Sequence, residues 1–133
     1  MNIVRNFLIG LILLVIGSCR MCRDKEPQLR VEFIDSTGMD SPRYDHVQIL
    51  SRDTEVSIAW PTWSLPLDPG ADRVTFIFTG EERMDTLVVG YKIAHEYEGA
   101  TCGFMAEASD IRTEYFSGIK NVRTYDQTVI LVY

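Results

Sequence analysis

Three cysteines, two histidines and 19 carboxylates are the groups from which thiol, metal or acid–base chemistry could be built in this 133-residue chain. Two of the cysteines, in Gly17-Ser18-Cys19-Arg20-Met21-Cys22, have C-x-x-C spacing. A redox pair of this kind needs an adjoining helix whose N-terminus depresses the first thiol's pKa. The next residues here, Arg23-Asp24-Lys25-Glu26-Pro27, read as no such helix. Zinc needs three or four ligands, and His46 and His95 stand far apart. His95-Glu96-Tyr97-Glu98-Gly99 starts like a zincin helix but lacks the second histidine, and reads as the surface-exposed end of a strand. Asp35-Ser36-Thr37-Gly38-Met39-Asp40 sets oxygen ligands around a glycine without the spacing or terminal glutamate of a calcium hand, and reads as a turn.

No Gly-x-Ser-x-Gly elbow and no phosphate-binding glycine loop occurs. A glycosidase pair is defined by separation in space, so the carboxylates single out no pair. The expected sets of catalytic residues, metal ligands and cofactors are therefore empty, and an enzyme is the less favoured reading. One aromatic feature remains, Trp60-Pro61-Thr62-Trp63. Trp60 ends an alternating segment with Val56 and Ile58 and belongs to the core by phase. Trp63 is either a further core ring or an exposed indole suited to stacking on a sugar or a peptide.

The cysteines gain meaning from the residues that precede them. Arg5 is followed by an apolar run from Phe7 to Ile16 and then by Gly17-Ser18, the three-part layout of a secretory signal. Ten apolar residues fall short of the roughly 20 that a spanning helix needs. Ile16-Gly17-Ser18-Cys19 resembles a lipobox, in which the cysteine becomes the lipidated N-terminus after cleavage. The expected organisation is a cleaved signal at 1–18, a tether at 19–28 and one domain at 29–133. Arg20, rather than Asp, comes after the cysteine, which resembles the pattern that sends lipoproteins to the outer membrane. The expected address is thus the cell envelope, on the outer membrane's periplasmic side or at the surface. With Cys19 lipidated in an oxidising compartment, an odd cysteine count leaves one bridge, Cys22 to Cys102.

Loss of residues 1–18 removes Arg5 and moves the formal charge from −6 to −7. The acidic balance argues against a nucleic-acid partner, which would demand clustered Lys and Arg. Arg20, Arg23, Lys25 and Arg30 cluster beside the expected anchor, with Asp24 and Glu26 interleaved as in a solvated tether.

Positioning falls to strands. Leu29-Arg30-Val31-Glu32-Phe33-Ile34-Asp35 has mostly period-two alternation. Similar segments occupy 46–50, 55–60, 73–79, 85–97, 101–106, 119–124 and 127–133, and one or two helical turns are expected within 107–116. Breaks fall at Gly38, Pro42, Pro61, Pro69-Gly70, Gly80 and Gly99. The reading is an all-β antiparallel sandwich of about 7–9 strands. Val31, Phe33, Val74, Phe76, Phe78, Leu87, Val89, Tyr91, Val129 and Leu131 are expected to face inward.

Leu65-Pro66-Leu67 before the strand from Asp72 to Phe78, and a tyrosine-bearing strand leading into Thr101-Cys102-Gly103, resemble a family of small uncharacterised lipoproteins from Bacteroidota. Thr101 stands where that family often has Ala. The resemblance implies an all-β domain outside the cytoplasm and carries no activity or site residues with it. The function expected is a lipid-anchored envelope module that binds or supports another envelope protein or a glycan. The alternative is a small hydrolase acting on envelope glycans or peptides through carboxylates or His95.

Overall fold

The computed structural model describes residues 22, 26–35, 44–59, 63–100 and 102–133. Nine strands occupy them: β1 (Gln28–Ile34), β2 (His46–Leu50), β3 (Glu55–Ala59), β4 (Ser64–Pro66), β5 (Arg73–Thr79), β6 (Met84–Tyr97), β7 (Phe104–Ser117), β8 (Asn121–Tyr125) and β9 (Thr128–Val132). They form a four-stranded sheet ordered β4-β1-β9-β8 and a five-stranded sheet ordered β3-β2-β5-β6-β7, an all-β sandwich. Every pairing is antiparallel except β1 with β9, which run parallel with Val31 opposite Val129 and Phe33 opposite Leu131.

The core follows from alternation. Leu29 and Val31 of β1, Leu65 of β4 and Val129 and Leu131 of β9 are fully enclosed, as are Val47 of β2, Phe76 and Phe78 of β5, and Leu87, Val89 and Tyr91 of β6. Along β1, β5, β6 and β9 these residues lie two positions apart, which puts them on one face of each strand. Of the residues expected inward, nine are buried, and Phe33 is half-buried against this core.

Register defines two poles, because successive strands reverse direction. Gln28, Pro66, Arg73 and Gly90 mark one pole, where the Leu67 amide donates to the Pro27 carbonyl. Ile34, Thr79, Met84 and Tyr133 mark the other, where the Tyr133 amide donates to the Ile34 carbonyl.

Two expectations need correction. The segment 107–116, expected to hold helical turns, belongs to β7, a single 14-residue strand that also takes in the last three residues of the strand expected at 101–106. The residues of β7 alternate weakly because most of them face solvent, and pairing with β6 along the whole length supplies the backbone partners that a helix would otherwise provide. Register shifts at Val88/Val89 and Gly90/Lys92 break the phase further, and Asp110 adopts a positive φ of 52°. Strand β4 spans only three residues, too few for alternation to show.

Beyond Gly90 the β6–β7 hairpin leaves β5 behind. Arg73, the first residue of β5, pairs with Gly90, and the Tyr91 amide donates to the Asp72 carbonyl. From Lys92 to Tyr97, β6 pairs with β7 alone, forming an arm roughly 17 Å long at strand rise.

Candidate functional site

The arm ends in a loop closed by the Glu98 amide donating to the Gly103 carbonyl and the Gly103 amide to that of Gly99. Gly99 and Gly103 have φ of 115° and 72°, the left-handed range that favours glycine. Cys102, in this loop, is disulfide-bonded to Cys22, with Cα atoms 5.5 Å apart. The bridge expected from the odd cysteine count is therefore present. It closes a separation of 80 residues, for which chain entropy alone gives about 4 kcal/mol of stabilisation. A two-stranded ribbon is marginal in water without further support, and here the staple fixes its tip. The side chain of Gln127 adds a second tie, Nε2 donating to Glu107 Oε1 at 3.1 Å and to the Ala108 carbonyl at 3.2 Å. Cys19, the expected lipid-attachment residue, lies outside the described residues, as do Trp60 and most of the turn expected at 35–40.

Near the same pole a groove of about 350 Å³ opens beside β2, β3 and β4, lined by Ile49, Val56, Pro66 and Leu67 with Glu26 and Asp68 among them. Both oxygens of Asp68 are engaged in shaping the chain: Oδ1 accepts from the Gly70 amide at 2.8 Å and Oδ2 from Ser51 Oγ at 3.2 Å. The Asp68 carbonyl also accepts from the Tyr91 hydroxyl at 2.9 Å. Burial pushes that phenol up to about 12.

At the opposite pole Trp63 is 53% exposed, with its ring edge-on to Phe33 at 6.4 Å between centroids. Its carbonyl accepts from the Val31 amide, which fixes its backbone beside the end of β4. Phe33 stacks on Tyr133 at 6.0 Å and meets Phe78 edge-on at 5.8 Å. Trp63 is thus the exposed rim of an aromatic cluster rooted in the core, and it lies at the pole away from Cys22.

Beneath that rim is a polar brace that alternation alone did not single out. Asp85 shares the inner face of β6 with Leu87 and Val89 and is 2% exposed. Its Oδ2 accepts from the Tyr44 hydroxyl at 2.6 Å and lies 2.6 Å from Arg83 Nη2. The Tyr44 and Tyr133 hydroxyls are hydrogen-bonded to each other, and the Arg83 guanidinium sits 4.7 Å over the Tyr133 ring. Arg83 Nη2 also donates to the Gly118 carbonyl at 2.8 Å. Burial first, and then the Asp85 bond, hold the Tyr44 phenol protonated far above its ordinary range, and burial raises Tyr133 likewise. The visible sign in the sequence was an aspartate in phase with core aliphatics; two of the brace's tyrosines come from positions more than 40 residues away.

Titratable groups elsewhere are dispersed. His46 pairs with Thr79 at the Trp63 pole, whereas His95 lies exposed in the arm. Among the described residues, no three His, Cys, Asp or Glu side chains are placed to hold a metal ion. Lys92 and Asp110 form an exposed pair at 2.7 Å that draws the Asp110 carboxyl below its usual range. No protein-family model, curated protein or solved structure matches this chain.

Proposed function

We propose that the protein is a lipid-anchored module of the cell envelope, held to its membrane through Cys19 and offering the Trp63 pole to an envelope protein or glycan. The observation that carries this reading is the Cys22–Cys102 bond, which occupies two of the three cysteines at one pole and leaves Cys19 as the remaining thiol. It lies three residue steps from the staple, a reach of about 10 Å, against roughly 30 Å if the chain from 19 to 28 were an unstapled tether. Acyl chains on Cys19 would then hold the stapled pole at the bilayer and turn the opposite pole outward.

That outward pole presents a large ring with an apolar face, an indole N–H and firm support from Phe33, features that bind sugars and peptide side chains with little loss of rotamer freedom. The test is photocrosslinking in intact cells from a probe at the Trp63 pole, with recovery of the captured component. Trp63→Ala should lower capture about 30-fold, as loss of a central aromatic anchor does. Unchanged capture in that variant, with the lipid in place, refutes the role of Trp63.

A further inference from the structure

Resting on the lipid anchor at Cys19, we propose that the end of the β6–β7 arm is a membrane foot: Tyr97 and Phe104 insert into the interfacial layer of the bilayer that holds the acyl chains. The two face each other across the hairpin with ring centroids 5.3 Å apart. They are 58% and 69% exposed, large rings lying side by side in water at the tip of a projecting ribbon. The adjoining rings make a small contiguous apolar patch, and contiguity is what distinguishes an interaction surface from singly exposed side chains.

Geometry selects the occupant. Cys19 lies three residues, about 10 Å at most, from Cys22; Cys22 and Cys102 are 5.5 Å apart at Cα; and Phe104 is two residues beyond Cys102. A lipid on Cys19 thus keeps the foot within a few residue lengths of the headgroups, whatever path the intervening chain takes. By register, Tyr97 and His95 share a face with Phe104 and Ala106, whereas Met105 points to the opposite face and is buried. One side of the tip is therefore packed into the molecule, and the other presents the aromatic pair. Tyr suits the interfacial layer because its ring enters the acyl boundary while its hydroxyl stays hydrated.

Charge does not supply the attraction. Glu96 beside Tyr97 and Glu26 near the staple are exposed carboxylates, offset in sequence by Arg20, Arg23 and Lys25. The contact is accordingly apolar, retained on zwitterionic lipid and insensitive to salt. A foot plus an acylated N-terminus gives two attachment points, which fixes the tilt of the domain as well as its position.

The experiment uses full-length protein purified from cells, with the mass of its Cys19 peptide measured, in phosphatidylcholine nanodiscs doped with doxyl-labelled lipid. Backbone amide signals at 95–106 should broaden strongly in high salt, and those around Trp63 should not. Tyr97→Ser with Phe104→Ser should abolish that contrast, lowering the docked-to-undocked ratio about tenfold or more. Unchanged amide shifts at Leu87 and Val129 would show that this variant remains folded. Acylated protein with equal broadening at both poles overturns the foot and leaves the anchor standing. Absence of acyl mass on Cys19 overturns both.

Discussion

Asp85 holds together the pole farthest from the staple, and its burial is tolerable because polar groups converge on it. An unpartnered carboxylate among Leu87, Val89 and Phe78 would be strongly disfavoured; the Tyr44 hydroxyl and the Arg83 guanidinium supply hydrogen bonds and opposite charge. Asp85→Ala should destabilise the domain by about 1–3 kcal/mol in urea denaturation, because the buried Tyr44 hydroxyl and the guanidinium both lose the carboxylate, the one charged acceptor they share. Gly118→Ala should also destabilise it, since φ there is 79° and a Cβ would run into the Asp85 carboxylate. The pH dependence comes from the tyrosines. Tyr91 is pushed up to about 12, and Tyr44 and Tyr133 higher still, from an ordinary value of 10. The unfolded chain therefore loses these protons first. The tyrosines leave stability unchanged below about pH 10 and reduce it increasingly above that point. Denaturation midpoints that stay constant from pH 9 to pH 12, a range of about three units across the ordinary tyrosine pKa, would contradict this linkage.

Strands were legible in the sequence wherever one face is dry and the other wet. The segments 46–50 and 73–79 have the bounds expected of them, and the β1 and β6 bounds differ by one residue. Legibility failed for physical reasons at β7, where solvent on most of the strand removes the alternating signal, and at β4, where a single buried residue, Leu65, carries the inner face. The parallel β1–β9 pairing was illegible too, because alternation reports which face a residue takes and nothing about its neighbour. Phe76→Ala, at a fully enclosed position between two sheets, should cost about 3–5 kcal/mol. The arm obeys a different rule, since its stability depends on the staple. Reduction of Cys22–Cys102 should lower global stability by on the order of 4 kcal/mol. Before global unfolding, amides at 92–97 and 104–109 should exchange faster, while those of Val47, Phe76 and Leu87 stay protected. Uniform acceleration across the sandwich would show that the arm is not a separate unit.

For the whole molecule, the alternating strand directions set the two proposed surfaces a sandwich length apart. One pole gathers the staple, the arm and the Tyr97–Phe104 pair; the other carries Trp63 above its brace. Of this candidate arrangement, the cysteine pairing emerged from the sequence, through the thiol count and the expected secretory signal. The overhang of β6 and β7 did not, because their greater length relative to β5 becomes apparent only when register is known. Everything proposed for the poles depends on which cysteine carries what. Mass analysis of protein isolated from its cells decides it most directly. The mature chain should begin at Cys19 with diacylglyceryl mass on that residue, and Cys22 and Cys102 should be recovered as one linked peptide pair. Free thiols at Cys22 and Cys102, or an unmodified Cys19 in membrane-extracted protein, would contradict it.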